Sequence, residues 1–281
     1  MENKKGAGIF LGVVSVATLI VAIIGATFAY FSATVTGSNT VDVTAYEFNA
    51  TMTITPVYPE TAANGIIPLD PDGTVTGAES PNTSNILYAL NVGGQDGRKC
   101  IDSYGYQVCA LYQVTVTNGS TQQLTLSGKI VPLTNVAGSR AGSTPFINLK
   151  YQAVSGDHTQ NNLTLVGQAQ DFEKVTPAND GDPEVIKTLA EGATGLTIGG
   201  NNATLTVPAA TYSEEPGEET TLVPQSASTY VLLYLDDNGD QSSEMGAAFT
   251  GQITYTSTNG DGSQLTGTFT VSQQQSPSSQ G

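Results

Sequence analysis

Tryptophan is missing from this chain of 281 residues, histidine occurs once, and Lys and Arg number 9 against 25 Asp and Glu. Each shortage removes a class of function. A nucleic-acid surface must displace the counterions of the phosphates, and a formal charge of -16 repels that polyanion. DNA and RNA are excluded as partners. Two cysteines and one histidine cannot fill a structural zinc site, and no H-E-x-x-H exists for metal-assisted hydrolysis. A Ser-His-Asp or Cys-His arrangement would have to use His158, which sits in the polar turn Ser155–Asn162 and reads as an exposed loop residue. A glycosidase carboxylate pair has no sequence motif, but sugar clefts use aromatic platforms, and aromatics make up only 7% of this chain. The expectation is a protein that is not an enzyme. With 12% charged residues the composition also departs from helical bundles and coiled coils, and 31 Gly is far below the collagen period.

The chain is instead rich in threonine, 38 in all, with valine and glycine beside it, a bias towards strands and turns. The amino terminus is different. After the basic start Met1-Glu2-Asn3-Lys4-Lys5, residues 8–29 carry no charge, enough for a helix to cross a hydrocarbon core of roughly 30 Å. The positive-inside tendency keeps Lys4 and Lys5 in the cytoplasm and sends the chain beyond Tyr30 outside. Two readings of the segment stay open. Small residues at Thr27 and Ala29 favour a signal peptide cut between Ala29 and Ser32, with Ala29, Tyr30 and Phe31 as the cleavage region. The length of the run suits an uncleaved anchor, which would hold the protein to the membrane through residues 8–29 alone. Cleavage takes away Glu2, Lys4 and Lys5 and leaves 24 acidic against 7 basic residues. In an exported chain Cys100 and Cys109, with eight residues between them, read as a disulfide closing a loop or hairpin.

Beyond residue 31 the pattern is β-rich runs between Gly, Asn, Asp and Pro clusters: 41–48, 52–55, 86–90, 111–117, 124–131, 146–154, 163–166, 196–198, 203–207, 230–235, 249–256 and 265–271. The spacing predicts an all-β, antiparallel two-sheet sandwich over 31–271, with a low-complexity disordered tail at 272–281. Residues 111–131 read as a hairpin turning at Asn118-Gly119-Ser120, and 248–271 as another turning at 259–262. One short helix is expected from Asp182 (N-cap) through Pro183 to Ala190, ending near Gly192. Ser213–Gln225 reads as an acidic, solvated loop. No cofactor is expected, with calcium the one candidate ligand: Asp236, Asn238 and Asp240 offer alternate oxygens, although Gln241 and Ala247 stand where an EF-hand loop has Gly and Glu. A plain turn is the preferred reading there. Five N-x-[ST] triplets, at Asn49, Asn82, Asn118, Asn162 and Asn202, are what so Thr-rich a chain gives by chance.

Gly25–Ser32 (GATFAYFS) resembles the end of the signal peptides handled by the SipW-type signal peptidase, and Asn39-Thr40-Val41-Asp42-Val43 resembles the first mature strand of the TasA and camelysin family. Leu111–Ser120 (LYQVTVTNGS) and Gly246–Ile253 (GAAFTGQI) are similar to later segments of that family. The family usually has Gly where Asn39-Thr40 stand here, and its members lack the cysteine pair. The resemblance implies a jelly-roll-like protein secreted to the bacterial surface, a biofilm-matrix subunit processed by a bacterial signal peptidase. It implies head-to-tail self-association into fibres by donation of the amino-terminal strand, a role that falls on Phe31, Val35, Val41 and Val43. Camelysin's reported metalloprotease activity finds no zinc ligands in this sequence. The competing expectation is a membrane-anchored adhesin that recognises a glycan or protein through its loops.

Overall fold

The computed structural model describes residues 39–45, 48–58, 65–73, 84–94, 97–102, 106–176, 183–199, 203–213, 221–237, 241–258 and 262–272. Among them the fold is mostly β, with antiparallel sheets and one α-helix. The larger sheet orders β1 (Asn39–Ala45), β2 (Phe48–Tyr58), β4 (Cys109–Asn118), β14 (Gln225–Asp236), β6 (Leu149–Ser155) and β7 (Thr164–Asp171), with the short β3 (Pro68–Leu69) lying parallel on the end of β14. In the second sheet β5 (Leu124–Val136) pairs with β10 (Leu196–Thr197) and β11 (Thr204–Val207) on one side, and with β15 (Ala248–Ser257) on the other. The edge beyond β15 is β16 (Gln264–Ser272). Two small hairpins complete the set, β8 (Lys174–Val175) with β9 (Val185–Ile186) and β12 (Thr211–Tyr212) with β13 (Leu222–Val223).

One apolar cluster takes side chains from both sheets: Met52, Ile54, Val114 and Val116 from the larger, Leu126, Ile130, Ile253, Leu265 and Phe269 from the smaller. Tyr112 joins them directly, its ring 4.7 Å from that of Phe269 and its hydroxyl donating to the Thr270 carbonyl at 2.8 Å. Gly267 permits this closeness, since a Cβ there would lie 2.9 Å from Ile54 Cδ1. Strands exposed on one face alternate, as β15 does residue by residue. Tyr230–Leu235 of β14 is instead buried at every position, because a second apolar cluster covers the outer face of the larger sheet. That cover is the helix α1 (Asn85–Asn91) and the loop closed by the disulfide.

Three sequence expectations are corrected here. Residues 86–90, expected as a strand, belong to α1; Ile86, Ala89 and Leu90, the residues it buries, have helical spacing, three and four apart. Lys99 completes the helix, its ammonium donating to the Asn91 and Val92 carbonyls at 2.6 and 2.9 Å. The helix expected from Asp182 does not form among the described residues. Val185–Ile186 makes a strand instead, the Ile186 and Lys187 amides donate to Phe146 and Glu173 carbonyls, and only Leu189–Glu191 winds a single 3-10 turn, closed by Gly192. Asp182 itself lies outside the described residues.

Residues 111–131 are not a hairpin. β4 and β5 belong to different sheets, and the chain between them turns a corner. Asn118, fully buried, holds that corner: its amide donates to the Gln122 and Pro208 carbonyls at 2.8 and 2.9 Å, and its carbonyl accepts from the Ser120 amide and hydroxyl at 2.9 and 2.7 Å. Gly119 packs so closely on Asn49 that a Cβ would come within 2.6 Å of its Nδ2. The 248–271 hairpin forms as expected, with β15 and β16 paired from Ala248↔Ser272 to Thr256↔Gln264. Of the disordered tail expected at 272–281, Ser272 ends β16 instead, and 273–281 lie outside the described residues.

Candidate functional site

The described part of the amino-terminal segment is β1. It forms the edge of the larger sheet and pairs with β2 from Asn39↔Ile54 to Ala45↔Phe48, which puts Val41 opposite Met52 and Val43 opposite Ala50. Among the described strands only β2 pairs with it. Of the residues expected to donate a strand, Val41 and Val43 are therefore in a strand, and Phe31 and Val35 lie outside the described residues. So do Ala29 and Tyr30 and the whole of residues 8–29; no described helix is long and apolar enough to cross a membrane.

Beside the apolar layer under α1, the outer face of the larger sheet turns polar. Thr53, Thr115 and Ser228 stand in register across three strands, as do Thr51, Thr117 and Ser226. The Thr115 and Ser228 hydroxyls are 2.8 Å apart, and those of Thr117 and Ser226 likewise. This ladder carries no charge.

Cys100 and Cys109 form the expected disulfide, fully buried, with Cα atoms 4.9 Å apart. The Cys100 amide donates to the Ala89 carbonyl of α1 and the Val108 amide to the Cys100 carbonyl, so the bridge fixes α1, the loop and the start of β4 to one another. The calcium candidates are not brought together. Asp236 spends its carboxylate on Lys150, 2.9 Å from the ammonium, and Asp171 stands 3.7 Å from the same nitrogen. The hydrogen bond from Asp236, helped by Asp171, holds the Lys150 ammonium above the usual lysine range against partial burial. Asn238 and Asp240 lie outside the described residues, and among the described residues no group of three metal-ligating side chains is assembled.

His158 is corrected from an exposed loop residue to a half-buried one. Its Nδ1 lies 3.0 Å from the Tyr230 hydroxyl, Tyr58 donates to its carbonyl at 3.2 Å, and both tyrosine rings meet the imidazole edge-on. Asp157 caps the turn from below by accepting from the Thr159 hydroxyl and amide, which holds its carboxyl below the ordinary range. Sequence reading missed this group because Tyr58, His158 and Tyr230 are remote along the chain. It missed Glu244 for the same reason: this carboxylate, 1% exposed, accepts from the Ile147 and Asn148 amides and from the Asn148 side chain at 2.8, 3.2 and 2.8 Å.

No protein-family model matches the chain, and no curated protein matches it. Among solved structures it is similar to a point mutant of CfaE, the CFA/I adhesin of enterotoxigenic E. coli, at 10% identity and a TM-score of 0.27. The alignment covers 80% of this chain and 49% of the adhesin, so the chain spans about half of that protein's length.

Proposed function

We propose that this protein is an exported, non-enzymatic subunit of a bacterial surface or biofilm matrix, a two-sheet, jelly-roll-like sandwich of the TasA and camelysin kind. Its copies join through the amino-terminal strand. The observation that carries this is the placement of β1: it comes after the targeting run in sequence and sits at a sheet edge, where a single ladder holds it. Releasing an edge strand opens that ladder and no other, and an identical strand from a neighbouring copy offers the same backbone partners. The buried disulfide supports the oxidising compartment that export implies.

The test compares the full chain with a variant lacking residues 31–44, by electron microscopy and sedimentation at raised concentration and lowered pH. The full chain should form fibres and the variant should stay dispersed; identical behaviour of the two overturns the reading. The uncharged run of residues 8–29, long for a signal peptide, favours a second reading, a membrane-anchored adhesin binding through its loops. Mass spectrometry of the native amino terminus separates the two. A start near Phe31 supports the released subunit, and an intact Lys4–Ala29 the anchored one.

A further inference from the structure

The connection between β1 and β2 lies at the end of the sandwich whose corner Asn118 holds. Ala50 of β2 and Gln225 of β14 both stand opposite Asn118 of β4, so β2 and β14 begin at this end, about 10 Å apart across β4. The chain from Val207 to Tyr212 crosses the same end: the Pro208 carbonyl accepts from Asn118, and the Ala210 amide donates to the Ser120 carbonyl. It leads into the β12–β13 hairpin, which Gln225 tethers through the Thr211 hydroxyl. Tyr212, Leu222 and Val223 are 61%, 37% and 42% exposed there, Tyr212 more than any other large hydrophobic residue among those described.

A short connection decides what meets this surface. Only Tyr46 and Glu47 stand between Ala45, which ends β1, and Phe48, which begins β2. When β1 leaves its own copy and pairs with β2 of another, Ala45 of the donor comes opposite Phe48 of the acceptor, about 5 Å away. The donor's own Phe48 follows three residues later, at most about 11 Å along the chain. The β2 strands of the two copies therefore begin within about 16 Å of each other. Opening the connection also runs the donor's β1 on into its β2, which puts the two bodies on either side of it. The opposite end of each copy is a strand length away, roughly 40 Å for the thirteen residues of β5. It is the corner ends that meet.

We propose that strand exchange buries the exposed face of the β12–β13 hairpin, Tyr212, Leu222 and Val223, against the corner end of a second copy. The inference rests on the exchange of β1 proposed above and adds the surface that this exchange closes. The length of the connection, and no match of charge, selects the occupant.

The experiment uses the full chain in mild detergent, at raised concentration and raised salt, because the connection 214–220 carries four glutamates in sequence and salt screens their repulsion. The native cysteines are joined and buried, so an introduced cysteine is the one reactive thiol. To follow exchange, the variants Asp42→Cys and Thr51→Cys are mixed, refolded together and oxidised. The two positions are register partners, so a covalent pair of the two variants forms where β1 of one copy lies on β2 of the other. To follow the surface, maleimide labelling is timed for Tyr212→Cys and, as reference at the opposite end, Val136→Cys; both positions are exposed. At about nine-tenths association Tyr212→Cys should label about tenfold more slowly than in dilute protein, and Val136→Cys at an unchanged rate. Thermal unfolding checks each fold, with Thr40→Cys and Thr53→Cys, another register pair, and Val223→Cys as replacements. Covalent pairs with Tyr212→Cys labelling as fast as in dilute protein, or slowed no more than Val136→Cys, overturn this inference and leave the strand reading standing. Absence of covalent pairs overturns the strand reading and this inference with it.

Discussion

Asn118 shows how much of this fold rests on a single side chain. An amide side chain has two donors and two acceptor lone pairs, and here all four are used inside the protein, at the point where the chain leaves one sheet for the other. Alanine at 118 would leave the Ser120 amide and the Gln122 and Pro208 carbonyls without that partner. Each such group costs about 1–3 kcal/mol when it stays unpaired, less where water reaches it, so a loss of roughly 2–4 kcal/mol is expected. For a domain of this size that is a fall of roughly 5–10 °C in Tm by circular dichroism. Thr115→Ala is the control, since it removes one hydroxyl pair on an exposed face and should change stability by no more than about 0.5 kcal/mol. Equal Tm values for the two variants would show that the corner is held by something else. Glu244 belongs to the same kind. No lysine or arginine pairs with its buried carboxylate among the described residues, and three N–H donors hold it, which pins the 3-10 turn Ser242–Glu244 to the chain entering β6.

Among elements, the long strands were legible and the connections were not. β4 and β15 announce themselves by alternation, since each pairs a polar face with an apolar one and the period of two survives in the residues. Ile86–Leu90 misled because a short apolar run has too few positions to separate a period of two from 3.6. The sheet that receives β5 was hidden for another reason: Asn-Gly-Ser suits a hairpin turn and a corner equally, and the partners that decide lie more than a hundred residues away, as Ser228 does from Thr115. Of the candidate site, the cysteine pair could be read from spacing, whereas the Tyr58–His158–Tyr230 group is assembled only by the fold. The disulfide also makes a prediction about α1, a helix of seven residues and too short to persist unsupported. Replacing both cysteines by serine should cost roughly 2–3 kcal/mol, from the loop entropy of a ring this size. Hydrogen exchange should show where it goes: the Cys100 and Val92 amides lose protection first, and the ladder between β4 and β14 keeps it. Uniform loss across both sheets would mean that the layer is part of the global cooperative unit.

At the scale of the molecule, the described strands keep their carboxylates out of the core, with Asp171 and Asp236 at strand ends and Asp42 in the edge strand β1. Beside the buried Glu244, the titratable groups of the described interior are phenols. Tyr112, Tyr151, Tyr234 and Tyr255 are all buried, from both sheets. Burial raises each phenol, Tyr151 to about 12 even though its hydroxyl accepts from the Gly199 amide, and the other three further still. Below pH 10 all four are neutral folded or unfolded, and they contribute no pH dependence. Above it the unfolded chain ionises and the folded chain does not, so the unfolded state binds fewer protons and stability falls as pH rises. Each group contributes up to about 1.4 kcal/mol per pH unit, and four together up to about 5. Lys150, raised by Asp236, acts in the same direction. Against a total stability of order 5–15 kcal/mol, this predicts one steep unfolding step between about pH 11 and 12. Monitored in parallel, the phenolate absorbance of the buried tyrosines and the loss of far-ultraviolet β signal should coincide within that step, and Tyr151→Phe should make it shallower. Phenolate formation by these four residues well before the β signal falls would mean that the core admits charge while folded, and that the burial which raises them does not govern alkaline stability.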